Sequence, residues 1–133
     1  MTSTKEAAGA ARILVVEDNV DSAETMQMLL AMSGYDTRTA YDGRVALAVA
    51  REFRPQVVFC DIGLPGKDGY AVARELRAMP ETRAALLVAL TGYGHEDDRQ
   101  RATDAGFDLF QVKPVEPGAL EALLVRHFAG RGA

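Results

Sequence analysis

At 133 residues, 48% of them hydrophobic and only one a cysteine, the chain suits a single globular domain with a three-layer core and no internal disulfide. A formal net charge of −4 leaves no basic surplus for non-specific binding to nucleic acid or an anionic membrane surface. The apolar runs are strand-length, which excludes membrane insertion by a spanning helix; the N-terminus lacks a signal peptide's apolar core, so the expected compartment is the cytoplasm.

Residues 1–10 are small, polar and unpatterned and are expected to be a flexible N-terminal tail, followed by one domain over 11–130 and a short C-terminal tail, 131–133. Ile13-Leu14-Val15-Val16 reads as a strand buried on both faces, ending in Glu17-Asp18-Asn19. A helix is predicted from Val20 to Ser33, stopped by Gly34. At 100° per residue its sheet-facing stripe would be Val20, Ala23, Met26, Gln27, Leu30 and Ala31. Asp21, Ser22, Thr25, Met28, Leu29 and Met32 then fall on the other side. Thr37 to Ala40 alternates and is polar, as an edge strand would be, and Asp42 is placed to cap a helix through Val45, Leu47, Ala48 and Phe53.

Val57-Val58-Phe59-Cys60 is a second doubly buried strand that delivers Asp61 at its C-terminal end. Cys60, inside that run, is expected to act as a small packed hydrophobe. A loop of turn residues follows (Gly63, Pro65, Gly66), and Asp68 is placed to cap a helix from Gly69 to Met79 that Pro80 ends. Leu86 to Leu90 is a further buried strand ending in Thr91-Gly92, and a charged helix from His95 to Ala105 closes at Gly106. Leu109 to Val112 is the last strand, ending in Lys113-Pro114, and Pro117 opens a final helix. The pattern is βα repeated five times, an α/β fold whose parallel strands are joined by right-handed helical crossovers.

In such a sheet the strand ends emerge on one edge and line one crevice. Glu17, Asp18, Asp61, Thr91 and Lys113 all stand at strand ends. Three crowded carboxylates repel unless a cation neutralises them, and hard oxygen ligands without His or Cys suit Mg²⁺. Lys113 supplies a point charge and Thr91 a hydroxyl for phosphoryl oxygens, and a lone carboxylate beside them can act as a nucleophile forming an acyl phosphate. His95 and His127 have no metal-ligand spacing.

These residues, Ile13 to Asn19, Val58 to Gly69, Ala89 to Gly92 and Val112 to Pro114, resemble the receiver domain of a two-component response regulator over about Arg12 to Ala129. The resemblance implies a flavodoxin-like (βα)5 domain with strand order 2-1-3-4-5. It makes Asp61 the phosphoacceptor for a histidine kinase or histidine phosphotransfer protein. Glu17 and Asp18 become the acidic pair for Mg²⁺, with Asp61 and the Gly63 carbonyl as further ligands. Thr91 and Lys113 would grip the phosphoryl group, Thr91 and Phe110 would be the switch pair, and the bond before Pro114 would be cis. Phosphorylation adds roughly two negative charges and would alter the surface of the fourth helix, fifth strand and fifth helix.

The donor's helices would dock beside the first helix, whose off-core face carries adaptable methionines. Gly63 offers no side chain to position a hydrolytic water, and Gly92 and Tyr93 flank access beside Thr91, so these positions are expected to tune the phosphoryl lifetime. The 89–94 run and the loop after Asp61 also resemble receivers of hybrid sensor kinases, while the Met start favours a stand-alone protein. Among rivals, a haloacid-dehalogenase-type phosphatase wants a second Asp where Gly63 stands. A nucleotide or flavin module lacks its glycine-rich signature, and a degenerate scaffold would not retain every site residue.

Overall fold

The structure, a computed structural model, describes residues 10–64, 66–92 and 96–132. Five strands and five helices alternate along it: β1 (Arg12–Val16), α1 (Val20–Met32), β2 (Asp36–Ala40), α2 (Gly43–Phe53), β3 (Val57–Asp61), α3 (Gly69–Ala78), β4 (Leu86–Thr91), α4 (Glu96–Ala105), β5 (Leu109–Val112) and α5 (Pro117–Gly132). All pairings are parallel and the sheet order is β2-β1-β3-β4-β5, as the flavodoxin-like pattern requires.

The central strands are apolar at successive positions because helices cover both faces. Leu14, Val16, Val58, Leu87 and Ala89 pack on one face with Ala46, Ala50, Val72 and Leu76 of α2 and α3. Ile13, Val15, Phe59, Val88 and Leu90 pack on the other with Leu30 of α1 and Leu120 and Leu124 of α5. Each of the buried Val, Leu, Ile and Phe side chains among them stabilises the fold by about 1.5–3 kcal/mol relative to exposure.

The helix ends are set by local chemistry. Asp42 and Asp68 cap α2 and α3 by accepting from the Val45 and Ala71 N–H groups at 2.8 and 2.9 Å. Asn19 caps α1 through the Ser22 N–H at 2.9 Å, a role the sequence reading did not give it. Gly34 (φ 95°) follows α1 and donates to the Ala31 carbonyl, closing the helix in the left-handed conformation that glycine favours.

Three expectations are corrected. Val20 and Ala31 are exposed, and the half-buried Leu29 joins Met26, Gln27 and the buried Ala23 and Leu30 on the inner side of α1. The inner stripe is narrower and rotated because α1 lies against β2 and α5, and Gln27 turns inward to donate to the Thr37 carbonyl at 2.9 Å. The final helix continues to Gly132, so the tail boundary drawn after residue 130 falls inside it; no proline interrupts its ladder. Most of the expected N-terminal tail (residues 1–9), Pro65, Tyr93 and His95 lie outside the described residues.

Candidate functional site

The four candidate strand ends meet at the carboxyl edge of the sheet. Asp61 is the last residue of β3 and is buried, with both carboxylate oxygens engaged. Its Oδ1 accepts the Gly63 N–H at 2.8 Å, and its Oδ2 pairs with Lys113 Nζ at 2.8 Å. Gly69 makes this loop possible. A Cβ there would lie 2.5 Å from the Asp61 carbonyl oxygen and from Ile62 Cα, so the start of α3 can press against the strand end only as glycine.

Glu17, just beyond β1, is 1% exposed. It receives the Lys113 ammonium at 2.6 Å on Oε1 and the Asn19 N–H at 3.0 Å on Oε2. Asp18 beside it is exposed. Ligand oxygens of Glu17, Asp18 and Asp61 lie within 4.8 Å of one another, the one such acidic cluster among the described residues.

The electrostatics follow from two buried acids sharing one cation. Burial raises the Glu17 carboxyl above its ordinary value, the Lys113 and Asn19 hydrogen bonds oppose this, and the Asp61 charge adds to it. For Lys113 burial acts to lower the ammonium, but the hydrogen bonds to Asp61 and Glu17 outweigh it and the net direction is upward. The opposite balance for the two partners is physical: Glu17 is enclosed, whereas about a third of the Lys113 side chain meets water.

Thr91 ends β4 almost fully buried, and its carbonyl accepts the Lys113 N–H at 2.7 Å. The Lys113–Pro114 bond is cis. Phe110, opposite Ala89 in the sheet, lies two residues below the Thr91 level, half-buried against the core face shared by α2, α3 and α4. Its ring is covered by Arg99 of α4, whose Cζ is 4.8 Å from the ring centroid. Cys60 is buried, and burial pushes its thiol far up, with Asp61, Glu17 and Asp68 adding to it. A groove of about 530 Å³ opens on Glu17 and Lys113 and runs between α1 (Asp21, Thr25, Leu29) and the segment after β5 (Pro114).

The chain is a doubly wound parallel α/β domain that gathers three acids, a lysine and a threonine at the carboxyl edge of its sheet. The model of the response regulator receiver domain matches residues 13–125, and the chain belongs to that family. Response regulator PleD of Caulobacter vibrioides is 35% identical over 107 residues, 80% of this chain but 24% of PleD, so the chain spans about a quarter of that relative's length.

Among solved structures, chemotaxis protein CheY4 of Vibrio cholerae superposes with a TM-score of 0.85 at 28% identity, covering 89% of this chain and 98% of CheY4. The receiver domain of sensor histidine kinase PA1611 from Pseudomonas aeruginosa, described with a magnesium ion coordinated in its active-site cleft, gives a TM-score of 0.81 at 31% identity. It covers 89% of this chain and 97% of that one. The chain is therefore a receiver domain of two-component signalling, a signalling domain and not an enzyme in the ordinary sense. No helix among the described residues is long and apolar enough to cross a membrane.

The oriented carboxylate, its lysine and the adjoining acids were all legible as strand-end residues. The hold of Arg99 on Phe110 was not. Nor was the Arg77 guanidinium, which bonds Gly106, Arg83 and Ala85 carbonyls and pairs with Asp108, pinning the base of α3 to the entries of β4 and β5. Its only sequence signal is a basic residue in the last turn of a helix, which has many bland uses.

Proposed function

We propose that Asp61 is the phosphoacceptor and takes a phosphoryl group from a phosphohistidine of a histidine kinase or histidine phosphotransfer protein. An Asp61 oxygen forms the new O–P bond as the N–P bond of the phosphoimidazole breaks, and the imidazole leaves with the N–P electron pair. The observation that carries this is Asp61 itself. It is a buried carboxylate at the end of β3 whose two oxygens are held by the Gly63 N–H and by the Lys113 ammonium, the lysine itself lining the groove. Lys113 sits where it can move from carboxylate to phosphoryl oxygen without leaving the site, and Thr91 offers a hydroxyl at the neighbouring strand end.

The donor set fits Mg²⁺: three carboxylates within 4.8 Å, no imidazole or thiol among them, and a geometry open on the exposed Asp18 side. Glu17, Asp18 and Asp61, with the Gly63 carbonyl, would hold it. When bound, the ion neutralises the acids and the entering phosphoryl oxygens. Catalysis by the chain is confined to its own phosphorylation and slow dephosphorylation. Thr91 and Phe110 are the proposed moving pair, and the surface of α4, β5 and α5 the responsive one. The groove between α1 and Pro114 suits the donor's helices because it leads along Ser22, Thr25 and Leu29 of α1 to Glu17 and Lys113, and Met28 stands exposed on the same helix.

Intact-mass spectrometry after incubation with acetyl phosphate tests the proposal. One phosphoryl adduct is expected, dependent on Mg²⁺ and missing in Asp61→Ala. An adduct that persists in Asp61→Ala, or that ignores Mg²⁺, contradicts it.

A further inference from the structure

Helix α4 is tied to the body of the protein in an unusual way. Of the residues from Arg99 to Ala105 only Ala102 and Ala105 are buried, and two methyl groups give little apolar area. Two arginines two residues apart, about 200° round the helix, supplement them from opposite flanks. Arg101 lies 4.3 Å over the ring of Tyr70 on α3, and Arg99 lies 4.8 Å over the ring of Phe110 on β5. The second contact joins α4 to β5, two elements of the proposed responsive surface, and its ring is the proposed moving aromatic. Phe110 has no hydroxyl with which to hold a half-exposed position, so the guanidinium lying across its face supplies an attachment of a different kind.

We propose that Arg99 is a positioning residue for the switch: it holds Phe110 and α4 in the unphosphorylated arrangement, and its contact is lost when the ring moves inward. This role rests on Asp61 being the phosphoacceptor and Phe110 the moving aromatic, as proposed above. A contact made in one arrangement and lost in the other biases the equilibrium toward the first. Arg99 therefore opposes phosphorylation, and removing its charge raises the population competent to receive the phosphoryl group.

The test compares the rate of Asp61 labelling by acetyl phosphate at saturating Mg²⁺ in Arg99→Met, Arg99→Lys, Phe110→Leu and the Arg99→Met/Phe110→Leu pair, with urea unfolding of each. Methionine is a good helix former at an exposed position, so the fold is kept. Arg99→Met is expected to label about two- to fivefold faster than the parent, the range of an exposed cation–ring contact. Arg99→Lys should fall between them, and Arg99→Met should add nothing in the Phe110→Leu background. A merely structural role would shift urea midpoints and leave these labelling ratios unmoved. Unchanged or slower labelling in Arg99→Met, or an equal gain in both backgrounds, would overturn the role. Failure of the parent protein to label at all would instead strike the assignment of Asp61, and the role with it.

Discussion

Replacing Lys113 by methionine keeps the apolar stem and removes the one cation that faces both Glu17 and Asp61. At 2.6 and 2.8 Å each pair carries about 6 kcal/mol of Coulomb attraction at an effective dielectric near 20, most of it offset by desolvation. Breaking a buried pair from one side costs about 3–5 kcal/mol, and because a third of the Lys113 side chain meets water we expect about 2–3 kcal/mol. Urea unfolding in a chelator should show this loss. Added Mg²⁺ should recover most of it, since a ligand at 100 times its Kd contributes about 2.7 kcal/mol and supplies the missing charge.

The pH dependence has a definite sign. Lys113 is raised in the folded state, so its contribution is fully present below the unfolded value of 10.5 and fades as pH climbs through the higher folded one. Glu17 is also raised, so its ionisation costs stability as pH rises from 4.5 through its folded value. Without Lys113 that cost grows, and the gap between parent and variant should be smallest in acid and open toward neutrality. A loss under about 0.5 kcal/mol in chelator, or one that Mg²⁺ leaves untouched, would refute this account of the site.

Gly69→Ala forces a Cβ onto backbone atoms at 2.5 Å and should cost at the upper end of about 1–3 kcal/mol, read as a lowered thermal midpoint; an unshifted midpoint would contradict the close approach. Cys60 should resist a thiol reagent until the protein unfolds, because burial keeps the thiol protonated and covered; prompt native labelling would speak against it. Gly63→Asn should change the decay rate of the Asp61 acyl phosphate, and a lifetime unaltered in both Gly63→Asn and Tyr93→Ala would remove these positions as determinants. Met28→Asp should slow transfer from a phosphohistidine donor while leaving acetyl phosphate labelling intact; unaffected transfer would move the docking face away from α1.

The fold was readable because its local signals agreed. Val57 to Cys60 and Leu87 to Leu90 are apolar at every position, as only a sheet covered on both faces requires, and Asp42, Asp68 and Gly34 mark helix ends by chemistry that needs no distant partner. The acids and Lys113 were readable for a related reason: parallel topology carries strand ends to one edge, so position in the strand is already position in the site. Reading the stripe of α1 by angle alone went astray at Val20 and Ala31, where the neighbours β2 and α5 decide which side is inside.

The half of the site that would do the switching was hidden for a different reason. Asp61, Glu17 and Lys113 interact through charges that all stand at carboxyl ends of strands of one parallel sheet, whereas Arg99 meets Phe110 only through the packing of α4 across β5. An arginine in a charged helix has a solvated face as its ordinary use, and nothing in Glu96 to Ala105 distinguishes Arg99 from Arg101 or Gln100 before the helix is docked. The weak apolar anchoring of α4 that obscured the contact is also what gives it leverage. A helix whose residues 99–105 bury only two alanine methyls can be biased by a guanidinium contact, while β3 and β4 are locked by fully buried Val58, Phe59, Leu87 and Leu90. A rigid sheet that presents the aspartate and a lightly fastened helix beside it are the two parts a phosphorylation switch needs, and here they differ in the composition of their buried faces.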